Sequence, residues 1–294
     1  MNIAPWIPCT NCNAPIIVNG SYMESFFNGE AVTCSGCKAE LDWWKVAQRA
    51  IKENFMFNQA FSLLEANSKL IKFTLTPNTR TCLNFTNNGI PVDAKILYIN
   101  YTPQGGDLFP IEIHGNVPHR RIIGNEVWLY PMAPPNEDGG ATEISAMVTW
   151  IEHSADEIEF INITDAVEAY SNNQLLDAIV PANVAVESAL SKLLSNFVSK
   201  FVGNKRVEDY LENSATYSSQ LNVVLPLIVG MQGFPVLPDQ IRGLLNKLRG
   251  YRNQIAHSGT TDKELTKEDT ADALCAAIFG LRYIALIEAR LKNA

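Results

Sequence analysis

Four of the six cysteines lie within the first 37 residues as two Cys-x-x-Cys pairs, Cys9-Thr10-Asn11-Cys12 and Cys34-Ser35-Gly36-Cys37, with 21 residues between them. Two residues between cysteines let both sulfurs of one turn face a single ion, and two such turns complete a tetrahedral four-thiolate site. Disulfides fit less well, because residues 1–15 contain no basic region leading into an apolar run of the kind that directs secretion. A redox Cys-x-x-Cys has no need to occur twice. The expectation is a zinc ribbon over residues 1–44, held by a structural Zn2+ on Cys9, Cys12, Cys34 and Cys37. Four thiolates close the coordination sphere, so no catalysis is expected of this ion. Cys82 and Cys275 stand apart and read as small buried apolar residues.

A chain of 294 residues suits two or three domains. After the ribbon, residues 45–66 read as a connecting helix, with Trp43, Trp44, Val46, Ala50, Ile51 and Phe55 on one side. Residues 67–163 read as a β-rich domain, a small antiparallel sandwich or barrel. Its short β-branched and aromatic runs are separated by Asn87-Asn88-Gly89, Pro103-Gln104-Gly105-Gly106 and the Pro134–Gly140 cluster. Residues 164–294 switch to helical periodicity. Four helices are expected there, over residues 181–201, 207–229, 238–257 and 266–291, and short connections suit an antiparallel bundle. The fold class is therefore multidomain α+β. No segment offers about 18 consecutive uncharged apolar residues, so a cytoplasmic location is expected.

The net charge of −8 argues against bulk electrostatic coating of nucleic acid. The acid excess is uneven, however: residues 1–164 hold 10 basic against 17 acidic side chains, and residues 165–294 hold 13 against 14. Within the second half, Gln240–Thr261 carries four basic residues and no acidic one. On a helical wheel of about 100° per residue, Arg242, Asn246, Arg249, Asn253 and His257 form one stripe, opposite Ile241, Leu244, Leu248, Tyr251 and Ile255. That stripe is a candidate phosphate surface.

The stretch Gly250-Tyr251-Arg252-Asn253-Gln254-Ile255-Ala256-His257-Ser258-Gly259 resembles the hallmark of HEPN domains. These are four-helix bundles in which an Arg, usually followed by a polar residue, is separated by four to six residues from a His near the end of the third helix. The resemblance covers residues 164–294 and leaves the ribbon and β-rich region outside it. It implies a metal-independent endoribonuclease, with no catalytic metal, acting through attack of the ribose 2′-hydroxyl on the adjacent phosphorus. Arg252, Asn253 and His257 would be its catalytic residues, with Arg242, Asn246 and Arg249 contacting RNA. It further implies a homodimer through the helical domain, and the role of a toxin or phage-defence effector answering a protein or phage-derived trigger. In one ideal helix Arg252 and His257 diverge by about 140°. They cooperate only where the helix end bends or a second copy contributes.

Read from the residues alone, the same groups also fit plainer roles. Arg242, Asn246 and Arg249 suit a solvated helix face, His257 suits a C-terminal cap, and Arg252 suits a bridge between helices. A noncatalytic HEPN-like adaptor binding RNA or protein is the rival to the enzyme. His114, His119 and His153 lack metal-ligand spacing, and His119-Arg120-Arg121 is a small basic cluster within the β-rich region. No glycine-rich phosphate loop, serine nucleophile or paired-carboxylate motif stands out.

Overall fold

The computed structural model describes every residue except 1, 4–5, 19, 54–57, 107, 113–124, 133–139, 152–157, 204, 208–215 and 294. His114, His119, Arg120, Arg121 and His153 lie outside the described residues. The strands, in chain order, are β1 (Asn2–Ile3), β2 (Trp6–Pro8), β3 (Pro15–Ile17), β4 (Asn67–Leu75), β5 (Thr81–Asn84), β6 (Lys95–Gln104), β7 (Phe109–Glu112), β8 (Glu126–Met132) and β9 (Thr142–Ile151). The helices are α1 (Gly20–Asn28), α2 (Trp43–Lys52), α3 (Asn58–Ser62), α4 (Ile158–Ser171), α5 (Leu175–Val198), α6 (Tyr217–Ser219), α7 (Leu225–Gln232), α8 (Asp239–Ser258) and α9 (Lys267–Asn293). The protein is thus a mixed α+β chain with small antiparallel sheets and a C-terminal helical region.

These elements form two compact units, Met1–Pro5 with Ala66–Ala155 and Trp6–Glu65 with Asp156–Ala294. In the first, a four-stranded sheet ordered β1-β4-β9-β6 and a three-stranded sheet ordered β5-β8-β7 share one core. Strand β8 shows why: Val127, Leu129 and Pro131 point inward while Glu126, Trp128, Tyr130 and Met132 point out, the two-residue period of a half-buried strand. Central β9 is buried along almost its whole length, and its Thr149 hydroxyl is satisfied by Ser68 Oγ at 3.0 Å.

The second unit joins the cysteine-bearing segment and α2 to the C-terminal helices, although more than 100 residues of chain separate them. Helix α2 starts where Asp42 Oδ1 accepts the Lys45 amide N–H at 3.2 Å. It buries Trp43, Trp44, Val46, Ala47, Ala50 and Ile51. Much of that face lies against α9, with Trp44 edge-on to Phe279 at 5.3 Å. Expected as a connector, α2 is part of a core.

Helix α9 is long and apolar enough to cross a membrane by length and composition, although it is not free of charged residues, and 78 % of its most apolar window is buried inside the protein. Its start follows the expected capping residues, Thr266 Oγ1 accepting the Asp269 amide N–H at 3.0 Å. Three other expectations need correction. The last described strand, β9, ends at Ile151, and α4 begins at Ile158, six residues before the expected switch to helix. Helix α5 starts at Leu175 and runs through Pro181, the expected helix start. Cys82, expected to be buried, is exposed beside Glu126, whereas Cys275 is buried.

Before α7 the chain makes a π-helical turn over Gln220–Val224, in which the Leu225 N–H reaches back to Gln220 O. Pro226 follows and has no N–H for the carbonyl of Asn222, so the regular ladder cannot pass through this point.

Candidate functional site

The four expected metal ligands come together: the sulfurs of Cys9, Cys12, Cys34 and Cys37 all lie within 4.8 Å of one another. Each Cys-x-x-Cys builds the same turn. The N–H of the residue after the second cysteine returns to the carbonyl of the first, Asn13 to Cys9 and Lys38 to Cys34, both at 3.0 Å. The N–H two residues into each turn points at the first sulfur, Asn11 to Cys9 Sγ at 3.4 Å and Gly36 to Cys34 Sγ at 3.3 Å. Asn13 and Lys38 both take left-handed backbone, with φ of 59° and 60°. Strands β2 and β3 clamp the first turn, and a Thr33–Glu40 bridge clamps the second. Gly36 is needed for the fit, since a Cβ there would lie 2.8 Å from that of Ala14.

Tetrahedral coordination with bonds of about 2.3 Å places sulfurs about 3.8 Å apart. The cross-turn pairs Cys12–Cys34 and Cys9–Cys37 stand at 3.8 and 4.0 Å. The donor set therefore fits a metal such as zinc. Four thiolates this close repel one another, and the thiols divide accordingly. The Ala39 amide and the Asn11 side chain hold Cys37 down at about 6. Against the Ala14 amide, burial and the three neighbouring sulfurs push Cys12 up to about 11. A bound cation removes that conflict.

The second candidate lies at the end of α8. This helix stays α-helical through Ser258 and stops at Gly259, whose φ of 73° lets its N–H close on Ile255 O at 2.8 Å. Its last turn is fastened from outside. Gln254 donates to Asp262 Oδ2 at 2.8 Å and accepts the Asp262 N–H at 3.1 Å, and Ser258 Oγ bonds Gln254 O at 2.7 Å. His257 is exposed, and Arg252 is half-buried, on the line of the buried residues Ile241, Leu245 and Leu248. Arg252 Nη1 donates to Asn253 Oδ1 at 3.2 Å. Among the described residues Arg252 has no ion-pair partner, so its charge is not cancelled.

The stripe of Arg242, Asn246 and Arg249 is oriented toward the preceding segment rather than wholly to solvent. Asn246 and Asn222 exchange amide hydrogen bonds, both at 3.0 Å. Arg249 is half-buried and acts electrostatically on the buried Tyr217 hydroxyl, which burial and Glu187 push above its ordinary pKa. Arg242 pairs with Asp239 in its own first turn. Of the two basic residues outside that stripe, Arg252 and Lys247, the second had no expected role. It pairs with Asp269 of α9 at 2.8 Å, its ammonium 5.4 Å from the Tyr251 ring centre. The acids that balance this helix, Asp239, Asp262 and Asp269, sit just beyond the acid-free stretch, which is why counting within it exaggerates its positive charge.

Comparison of the chain with protein-family models, with curated proteins and with solved structures finds no match in any of the three.

Proposed function

We propose that the helical region is a metal-independent endoribonuclease of HEPN type. The ribose 2′-hydroxyl attacks the adjacent phosphorus, the 5′-oxygen leaves, and a 2′,3′-cyclic phosphate remains. His257, exposed and carrying an imidazole that can both accept and donate a proton, exchanges a proton with the 2′-oxygen or the leaving oxygen. Arg252 holds the phosphate and stabilises its developing charge, and Asn253 orients the guanidinium through the bond it accepts. The observation that carries the reading is an exposed His257 five positions after Arg252, which has no ion-pair partner among the described residues, on a helix end fixed by Gly259 and the Gln254–Asp262 clamp. Because α8 is unbroken through Ser258, a bent helix end does not bring the two groups together. We therefore place the reaction in a cleft shared by two copies of the chain. With Arg242 and Asn246 engaged along the helix, phosphate contact falls first to Arg252. The wider role of a cytoplasmic toxin or phage-defence effector rests on the resemblance alone.

The test is cleavage of tRNA and single-stranded RNA by the full chain without added divalent cations, beside His257→Ala. Cyclic-phosphate ends that disappear in the variant are the expected result; equal cleavage by both proteins would remove His257 from the mechanism.

A second reading, a noncatalytic adaptor, is favoured by the outer face of the three-stranded sheet. There Trp128, Tyr130 and Met132 of β8 stand exposed beside Phe109 and Ile111 of β7, where a solvated sheet face ordinarily carries polar residues. A dimeric protein that binds RNA and cuts none would favour it.

A further inference from the structure

The four-thiolate centre and the end of α8 belong to the same compact unit, and a continuous set of contacts runs between them. It begins at the first cysteine turn, where Arg49 of α2 donates from Nη1 to the carbonyl of Cys9 at 3.2 Å. Helix α2 then meets the first turns of α9 through polar groups as well as through Trp44 and Phe279. Lys52 Nζ reaches Glu268 at 2.7 Å and Asp272 at 3.7 Å, and Gln48 Nε2 donates to Asp272 Oδ1 at 2.6 Å. Between Glu268 and Asp272, Asp269 turns the other way and pairs with Lys247 of α8. Lys247 sits over the ring of Tyr251, the residue before Arg252. The start of α9 is thus gripped from one side by the helix tied to the cysteines and from the other by the helix that carries Arg252 and His257.

Exposed ion pairs alone transmit little. The weight here comes from packing. Trp43, Trp44 and Phe279 are all buried, and Phe27 of α1 stacks edge-on against Tyr283 of α9 at 5.1 Å. The cysteine segment is too small to hold its own core without a cross-link. Without an ion nothing cross-links the two cysteine turns, so losing the metal frees the turn that Arg49 of α2 holds and loosens the packing of α1 and α2 on α9.

We propose that metal occupancy of the four-thiolate centre governs the order of the α8 segment from Lys247 to His257, acting through α2 and the first turns of α9. The naming of that segment as a site rests on the proposed ribonuclease function; the coupling itself does not. It makes the metal a switch on the helical region rather than a local staple for the first 41 residues.

The experiment is hydrogen exchange followed by mass spectrometry on the zinc-loaded full chain, before and after stripping with a zinc chelator and after adding zinc back. The expected result is exchange faster by about tenfold or more in residues 247–257 and 267–272 as well as in 6–41, reversed by zinc, with β4 and β9 unchanged as internal controls. Faster exchange confined to residues 6–41 overturns the proposal. Trp44→Leu combined with Lys52→Ala, which removes the edge-on contact with Phe279 as well as the ion pairs to α9, supplies the second arm. It is expected to keep the cobalt–thiolate absorption of the intact centre while exchange in residues 247–257 responds more weakly to the chelator; a full response would overturn the route through α2. Neither arm reads RNA cleavage, so a chain that cuts no RNA leaves this result interpretable.

Discussion

The two cysteine turns and the end of α8 both hold their chemistry within a short interval of sequence, yet they depend on their surroundings in opposite ways. Each cysteine turn closes on itself: its backbone N–H groups return to its own carbonyl and its own sulfur, so the spacing almost dictates the geometry. At the end of α8 the spacing works against the proposed chemistry, because five residues along an unbroken helix carry His257 about 140° away from Arg252. A motif that closes locally can be read from its letters, whereas one on a regular helix acquires meaning only from what meets it.

Substitutions can break this contrast at either end. The largest effect is expected from Cys34→Ser, which removes a buried ligand from a closed site. Bound zinc should fall from one per chain to well below that, with a loss of several kcal/mol in apparent stability, seen by metal analysis and thermal unfolding. Next comes Asn246→Ala, which takes the donor from Asn222 Oδ1 at the π-helical turn while the Asn222 N–H keeps Ser218, and should cost about 1–2 kcal/mol by denaturant unfolding while zinc content stays the same.

The link between α8 and α9 gives a pH signature. The Lys247 ammonium and the Thr266 hydroxyl hold Asp269 down at about 2. A carboxylate depressed in the folded state adds stability above its unfolded pKa of about 3.9, and that stability is lost as pH falls toward the folded value. Both side chains are partly exposed, so the effect is discounted for screening. Between pH 4 and 2 the parent should lose about 1 kcal/mol more than Asp269→Asn, measured by urea unfolding. The smallest effect is expected from Lys38→Gly, where left-handed backbone favours glycine. Stability should hold or rise by up to about 1 kcal/mol with zinc retained; a loss of metal would show that the turn depends on the lysine side chain rather than on its backbone.

The same distinction explains what could be read from the sequence. The cysteine ligands, the stop of α8 at Ser258-Gly259 and the start of α9 at Thr266 and Asp269 all rest on local chemistry, and the structure has them in place. Helix α4 was missed because Ile158, Phe160, Ile161 and Ile163 cluster at its start with no clean polar face, a pattern short apolar strands share. Pro181 misled in the other direction, since proline usually marks a helix start, whereas α5 carries it in its second turn. The polar stripe of α8 was legible as a stripe, but its direction was not. Asn222 waits on a neighbouring element, and nothing in the spacing of α8 announces it. Nor does the sequence reveal that the cysteine segment shares a core with helices more than 100 residues away, which is a matter of packing alone.

The central claim is that Arg252 and His257 act together on one phosphate although a single helix holds them apart. A double-mutant cycle measures this directly, using single-turnover cleavage by the parent, Arg252→Ala, His257→Ala and the double variant. Each single change is expected to slow cleavage by about a hundredfold or more, with the double variant no slower than the worse single one. Two penalties that multiply, or a His257→Ala protein as fast as the parent, would contradict the account.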